Sequence, residues 1–119
     1  MSKKSKIIAV GAGWRACEFH LPNILINSNA EPVGVSRIGS AELQQIQKHF
    51  EIPFVSGDHT ELYTLNPDGV IVASPNVFHA EHAKYELEKA CHVLMEKPMA
   101  TLTEDAEALC SIARKTGKT

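Results

Sequence analysis

Two kinds of apolar pattern alternate along this chain. Ile7 to Val10 and Val70 to Ala73 are short, unbroken and rich in β-branched residues, too brief for helices, and they read as strands buried on both faces. Glu31 to Arg37, Pro53 to Ser56 and Val93 to Met95 supply three further short strands. Between them apolar residues recur at helical spacing. Leu43, Ile46 and Phe50 fall on one side of a helix and Gln44, Gln45, Gln47 and Lys48 on the other; Ala80, Ala83, Leu87 and Ala90 form a second stripe; Ala106, Leu109, Cys110 and Ala113 form a third. Ser40 and Thr103 stand where N-caps are expected, Glu104 and Asp105 follow in a first turn where the helix dipole favours anions, and Gly117 lies just past a helix end. A helix is also expected from Trp14 to about Asn27. Pro22 sits inside it, removing a donor and crowding the carbonyl four residues back, so this helix should kink or restart there. Gly57 to Tyr63 reads as a loop with a helical turn, and Asn66-Pro67-Asp68-Gly69 as a turn into the fourth strand.

Strands that alternate with helices at short spacing imply right-handed crossovers, and hence an α/β fold with a doubly wound parallel sheet, the Rossmann fold. The strand order expected is 3-2-1-4-5, within a single dinucleotide-binding domain over residues 1–119. In that order the topological switch lies between the first and fourth strands. Gly11 to Ala16 and Ser74 to Asn76 should therefore border one crevice.

At that point the chain carries Gly11, Gly13 and Ala16, which fit the spacing G-x-G-x-x-G/A. The first glycine permits a tight turn, the second lets a phosphate approach the backbone, and the third small residue lets helix pack on strand. Trp14 and Arg15 lie in the same turn; Arg15 faces either the pyrophosphate or solvent. A glycine-punctuated turn that binds nothing also satisfies this spacing, and the surrounding architecture favours the dinucleotide.

Composition narrows the field. A formal net charge of −2, with no cluster of Lys and Arg after Lys6, argues against a nucleic-acid partner. The apolar run beside Lys3, Lys4 and Lys6 is four residues long and ends in glycines, which does not suit an export signal, and no run of 18 apolar residues offers a membrane span; a cytoplasmic protein is expected. Cys17, Cys91 and Cys110 are widely spaced with no C-x-x-C, as for reduced, buried structural thiols. His79 and His82 have no carboxylate or cysteine at ligand spacing, so no metal site is expected.

Taken together, Val10-Gly11-Ala12-Gly13, Ala73-Ser74-Pro75-Asn76-x-x-His79 and His92-Val93-Leu94-Met95-Glu96-Lys97-Pro98-Met99-Ala100 resemble the glucose-fructose oxidoreductase, inositol dehydrogenase and MocA family, from Lys6 to Gly117. Glu96-Lys97-Pro98 is the specific part. The resemblance implies a nicotinamide-dependent oxidoreductase acting on a sugar, polyol or related carbonyl or hydroxyl compound, with this chain as its cofactor half. Residue by residue, it implies that Gly11, Gly13 and Ala16 hold the pyrophosphate and that Ser74, Pro75, Asn76 and Glu96 lie at the nicotinamide-side ribose. It also implies that Lys97 is the catalytic donor to the substrate oxygen, that the Lys97-Pro98 bond is cis, and that His79 and Pro98 belong to the cofactor site. Two departures stand out: Ser74 where many members have threonine, and Cys91 where glycine is usual. The most serious departure is that the family's second, sheet-rich domain is missing from these 119 residues, which leaves two expectations. Either this chain serves an oxidoreductase, binding cofactor without turnover until a second domain or subunit completes the site, or it is a non-catalytic dinucleotide-binding or sensing module joined to a partner. With no strand after Gly117, the Val93 strand should be a sheet edge that favours a homo-oligomer or partner subunit.

The expected cofactor is NADP in preference to NAD. An NAD site places Asp or Glu at the end of the second strand, whereas this strand ends Val35-Ser36-Arg37. Ser36 can donate a hydrogen bond and Arg37 a charge-assisted pair to a 2′-phosphate.

Overall fold

β-Branched runs form the middle of the sheet because strands covered on both faces must be apolar on both. In the computed structural model, which describes residues 3–13 and 15–119, the strands are β1 (Ser5–Val10), β2 (Ala30–Ser36), β3 (Phe54–Ser56), β4 (Gly69–Val72) and β5 (His92–Met95). All pair in parallel, in the order β3-β2-β1-β4-β5. This is the expected topology, with Val10 opposite Val72 at the centre. Pro32 lies in β2 before β3 begins to pair at Gly34, and a bulge follows it, which accommodates the missing N–H.

Among the described residues the α-helices are α1 (Leu21–Ile26), α2 (Ser40–Phe50), α3 (His79–Glu88) and α4 (Thr103–Thr116). Alternate residues of the central strands feed two cores. Ala9, Val35 and Ile71 pack with Leu21, Ile24, Leu43 and Ile46 of α1 and α2, while Ile8, Val10, Val70 and Val72 pack with Leu62 and Cys91. A third cluster, Ala83, Leu87 and Leu109, joins α3 to α4. Among the described residues no helix is long and apolar enough to cross a membrane.

Pro22 acts as expected. A π-helix, Ala16–His20, precedes it, and α1 restarts with the proline in its first turn, where its missing N–H costs nothing.

Several expectations need correction. Ser40 and Thr103 are the first helical residues, and Gly39 and Leu102 hold the cap positions with no side-chain cap bond. α3 ends at Glu88, and Ala90 is an exposed residue with φ of 62° outside the stripe. Of the three thiols only Cys91 is buried; Cys17 is partly buried, and Cys110 is exposed because Ile112 and Ala113 take the inner face of α4. β5 is the sheet edge, but not a bare one: Val93 N donates to Thr119 O at 2.8 Å and Thr119 N donates to His92 Nδ1 at 3.0 Å.

Candidate functional site

The ends of β1, β2 and β4 meet around the glycine loop. The carbonyl of Ser36, the last residue of β2, accepts from the amides of Gly11 and Ala12, both at 3.0 Å, so the loop is pinned across the end of β2. Three small residues then serve three different purposes. Gly11 has φ of +77°, and a Cβ there would lie 2.3 Å from Ser74 Cα, so both backbone conformation and close approach to β4 require glycine. A Cβ on Gly13 would meet nothing nearer than the Gly11 carbonyl at 4.0 Å, so the fold around it does not require glycine at this position. Ala16 is fully buried at the start of the π-helix.

A crevice of about 590 Å³ opens beside the loop, at the switch between β1 and β4. It brings together Gly11, Gly13, Ser36, Arg37, Ser74 and Pro75, and adds Ile38, Gly57, His59, Phe78, Glu81 and His82. Arg37 Nε donates to Ile38 O at 3.0 Å and Nη1 donates to Ala12 O at 3.3 Å, which tethers the guanidinium to the glycine loop. Ser36 itself is buried. The composition of this lip suits a dinucleotide: a tethered cation, a serine, no carboxylate at the end of β2, and two glycines in the loop.

On the opposite wall Ser74 is held from two sides. Its hydroxyl lies 2.7 Å from His82 Nδ1, and its carbonyl lies 2.6 Å from His79 Nε2. His79 is buried, with Nδ1 2.7 Å from the Pro98 carbonyl, so it ties the segment after β4 to the segment after β5. The Lys97-Pro98 bond is cis. Asn76 is exposed at the start of a 3-10 turn, Asn76–Phe78, and does not line the crevice. Trp14 lies outside the described residues.

Glu96 is occupied elsewhere. Its Oε1 takes His20 Nε2 at 2.6 Å and Arg15 Nε at 3.2 Å, and the His20 hydrogen bond, followed by that of Arg15, holds this carboxyl below the usual carboxylate range. Arg15 therefore belongs to this cluster and lies over the Phe19 ring, 4.6 Å from its centroid. The exposed Lys97 lines a separate recess with Met99, Leu109 and Cys110.

Three functional candidates escape a reading of the sequence. His20 meets Glu96 because of the π-helix, which no local pattern announces. His59 and Glu86 meet across 27 positions: His59 Nδ1 is 3.2 Å from Oε1 of Glu86, which is fully buried. Burial pushes the Glu86 carboxyl up to about 8 and lowers both His59 and His82. The available signal was the buried face of α3, where His79, Ala83, Glu86 and Leu87 keep helical spacing although two of them are polar.

Comparison with known proteins places this geometry. Residues 5–119 match the oxidoreductase family, NAD-binding Rossmann fold (GFO_IDH_MocA). The D-glucoside 3-dehydrogenase of Escherichia coli K12 is 35% identical over 118 residues, covering 98% of this chain and 34% of that protein. Among solved structures, KijD10, a 3-ketoreductase from Actinomadura kijaniata in complex with NADP and TDP-benzene, superposes with a TM-score of 0.90 at 27% identity, covering 98% of this chain and 36% of that one. The WlbA dehydrogenase from Chromobacterium violaceum, in complex with NADH and UDP-GlcNAcA, has the same TM-score and identity, with 98% of this chain and 34% of that chain covered. The chain thus spans about a third of the length of the proteins it matches.

Proposed function

Because the chain belongs to the oxidoreductase family with the NAD-binding Rossmann fold, we propose that residues 1–119 are the dinucleotide-binding domain of a nicotinamide-dependent oxidoreductase acting on a sugar or a related hydroxyl or keto compound. The observation that carries this reading is the contrast between the two glycines of the loop beside the crevice: Gly11 is required by the fold, whereas a Cβ at Gly13 would meet nothing nearer than the Gly11 carbonyl at 4.0 Å, so its small size supports close approach of a phosphate. The names of its relatives, a glucoside dehydrogenase and a ketoreductase, support the substrate class.

In this reading the backbone of Gly11 to Ala16, with Trp14 and Arg15 beside it, faces the pyrophosphate. Ser36 and Arg37 take the 2′-phosphate of NADP, in preference to NAD. Ser74, Pro75 and Asn76 border the nicotinamide-side ribose together with Glu96 and Pro98, and His79 holds that border in place from behind. When bound, the nicotinamide supplies or accepts the hydride. Lys97 presents an ammonium to the substrate oxygen, where a donated hydrogen bond stabilises the negative charge that grows as hydride moves. The remaining walls of a substrate pocket come from further chain or a second subunit, and this domain by itself binds cofactor without turnover.

Calorimetric titration with NADP and NAD tests the reading. Both should bind the wild-type domain, NADP more tightly, and Arg37→Ala should weaken NADP by roughly 10- to 100-fold, the loss of about 1.5–3 kcal/mol for a hydrogen bond to a charged group. Failure of both cofactors to bind would end the reading. Equal affinity for the two, or no effect of Arg37→Ala, would end the preference for NADP.

A further inference from the structure

The crevice wall opposite Arg37 contains titratable groups that the reading above leaves without a role. His59 and His82 both line it, and their rings are in tilted contact, 4.6 Å between centroids at an interplanar angle of 55°. Each ring is engaged at Nδ1, His82 by the Ser74 hydroxyl at 2.7 Å and His59 by Glu86 Oε1 at 3.2 Å. Glu86 is the innermost member. It is fully buried, and its Oε2 has no hydrogen-bond partner among the described residues. The other unpartnered buried side-chain oxygen among the described residues, Tyr63 Oη, belongs to the same cluster, linked through Tyr85 to His59 by ring contacts of 5.3 and 5.1 Å.

A carboxylic acid buried on this scale keeps its proton where a solvated one would lose it. A protonated Glu86 donates to His59 Nδ1. That assigns the ring's own proton to Nε2, and His82, in tilted contact with this ring, and its bond to Ser74 are then set against a ring of defined tautomer and orientation. Loss of the Glu86 proton removes the donor and leaves a buried charge with one oxygen unpartnered, beneath a crevice meant for an anionic ligand.

We propose that Glu86 and His59 are positioning residues for dinucleotide binding: a proton shared between them holds the His59, His82 and Ser74 wall of the crevice in its binding form, so that affinity for the cofactor falls when this proton is lost. The proposal rests on the reading of the crevice as a dinucleotide site. Neither residue need touch the nicotinamide or the substrate.

Titratable groups surround Glu86 on the elements packed about α3. The 3-10 helix His59–Leu65 brings His59 and Tyr63, with Asp58 just before it, held low by its bonds to Thr60. α3 itself carries Glu81, His82 and Tyr85 near the cluster. The head of β5 brings the Cys91 thiol, pushed up to about 11 by burial and then by Glu86. β4 and α4 contribute the apolar Val70, Val72, Leu109 and Ile112. Of these the Glu86 carboxyl, at about 8, is the one placed to change charge between pH 7 and 9.

The test is calorimetric titration of the domain with NADP at pH 7, 8 and 9, on wild type and Glu86→Gln, with thermal unfolding at each pH to show that both are folded. If only the protonated form binds, apparent affinity follows the protonated fraction, and wild type should bind about tenfold more weakly at pH 9 than at pH 7. The amide of Glu86→Gln still donates to His59 but cannot titrate, so its affinity at pH 7 should stay within about threefold of wild type and remain flat to pH 9. A wild-type affinity independent of pH, or an equal decline in both proteins, would overturn the assignment. Absence of NADP and NAD binding at every pH would instead remove the dinucleotide site itself, and this inference with it.

Discussion

Replacing each loop glycine by alanine separates folding from binding. In Gly11→Ala, a residue with φ of +77° acquires a Cβ, which costs about 1–2 kcal/mol for left-handed backbone. The same Cβ would sit 2.3 Å from Ser74 Cα, where non-bonded carbons rest at about 3.5–4.0 Å. The Cβ is fixed by the backbone of residue 11 and Ser74 Cα is itself backbone, so no rotamer change relieves the overlap; the end of β4 must move away from β1, at about the 1–3 kcal/mol typical of overpacking. The sum, roughly 2–5 kcal/mol, should lower Tm by about 10 °C or more in a domain of this size. Gly13→Ala has neither a positive φ nor a neighbour nearer than 4.0 Å, so its Tm should stay level or rise slightly, as a less flexible unfolded chain favours folding by about 0.4–1 kcal/mol. Its methyl stands where a phosphate must approach, however, and its NADP affinity should fall tenfold or more. Differential scanning calorimetry and titration calorimetry on the same two samples read both effects. Comparable destabilisation by the two substitutions, or wild-type binding by Gly13→Ala, would refute the division of roles.

Two further outcomes follow from burial. The Glu86 carboxyl lies at about 8 in the fold against 4.5 when solvated, so its contribution to stability is full below pH 4.5 and is lost as pH rises through 8. At about 1.4 kcal/mol for each pH unit of that gap, the loss is on the order of 5 kcal/mol, and denaturant midpoints measured from pH 5 to 9 should fall in wild type but much less in Glu86→Gln. Thiol labelling of the native protein should modify the exposed Cys110 first, Cys17 more slowly and Cys91 only at the rate of opening of the fold; Cys110→Ser should remove the fast phase.

Much of this molecule is legible in its sequence, for identifiable reasons. Strands buried on both faces leave an uninterrupted apolar signature, so Ile7 to Val10 and Val70 to Val72 mark the centre of the sheet, and the alternation of elements orders the rest. The crevice follows from topology, which brings Gly11, Ser36 and Ser74 together without any need to know side-chain geometry. Contacts that depend on one residue's rotation about a helix are harder to read. Leu109 and Cys110 are neighbours in sequence, yet only the first faces α3, because Ile112 and Ala113 complete that face. Ser40 has the chemistry of an N-cap, but Gly39 takes the non-helical backbone and moves the cap by one. Glu86 sits three residues after Ala83 on the buried face, and its charge conceals a position that spacing alone assigns to the interior. Its partner His59 lies on a 3-10 helix, and no pattern within either segment points to the other.

The π-helix makes chain length, as distinct from composition, an element of the design. In an α-helix, residues five apart point about 140° away from each other, whereas the wider i to i+5 turn of a π-helix brings them onto the same side. Leu21 N bonds Ala16 O in this way, and Arg15 and His20 converge on the same oxygen of Glu96. The segment between the glycine loop and Pro22 thus carries information in its number of residues. Removing any one of them, with every side chain that touches Glu96 retained, would swing His20 about 100° around the axis and release the carboxylate that precedes Lys97. Aligning such a chain residue by residue would show nothing missing from the site, although the site had lost its register.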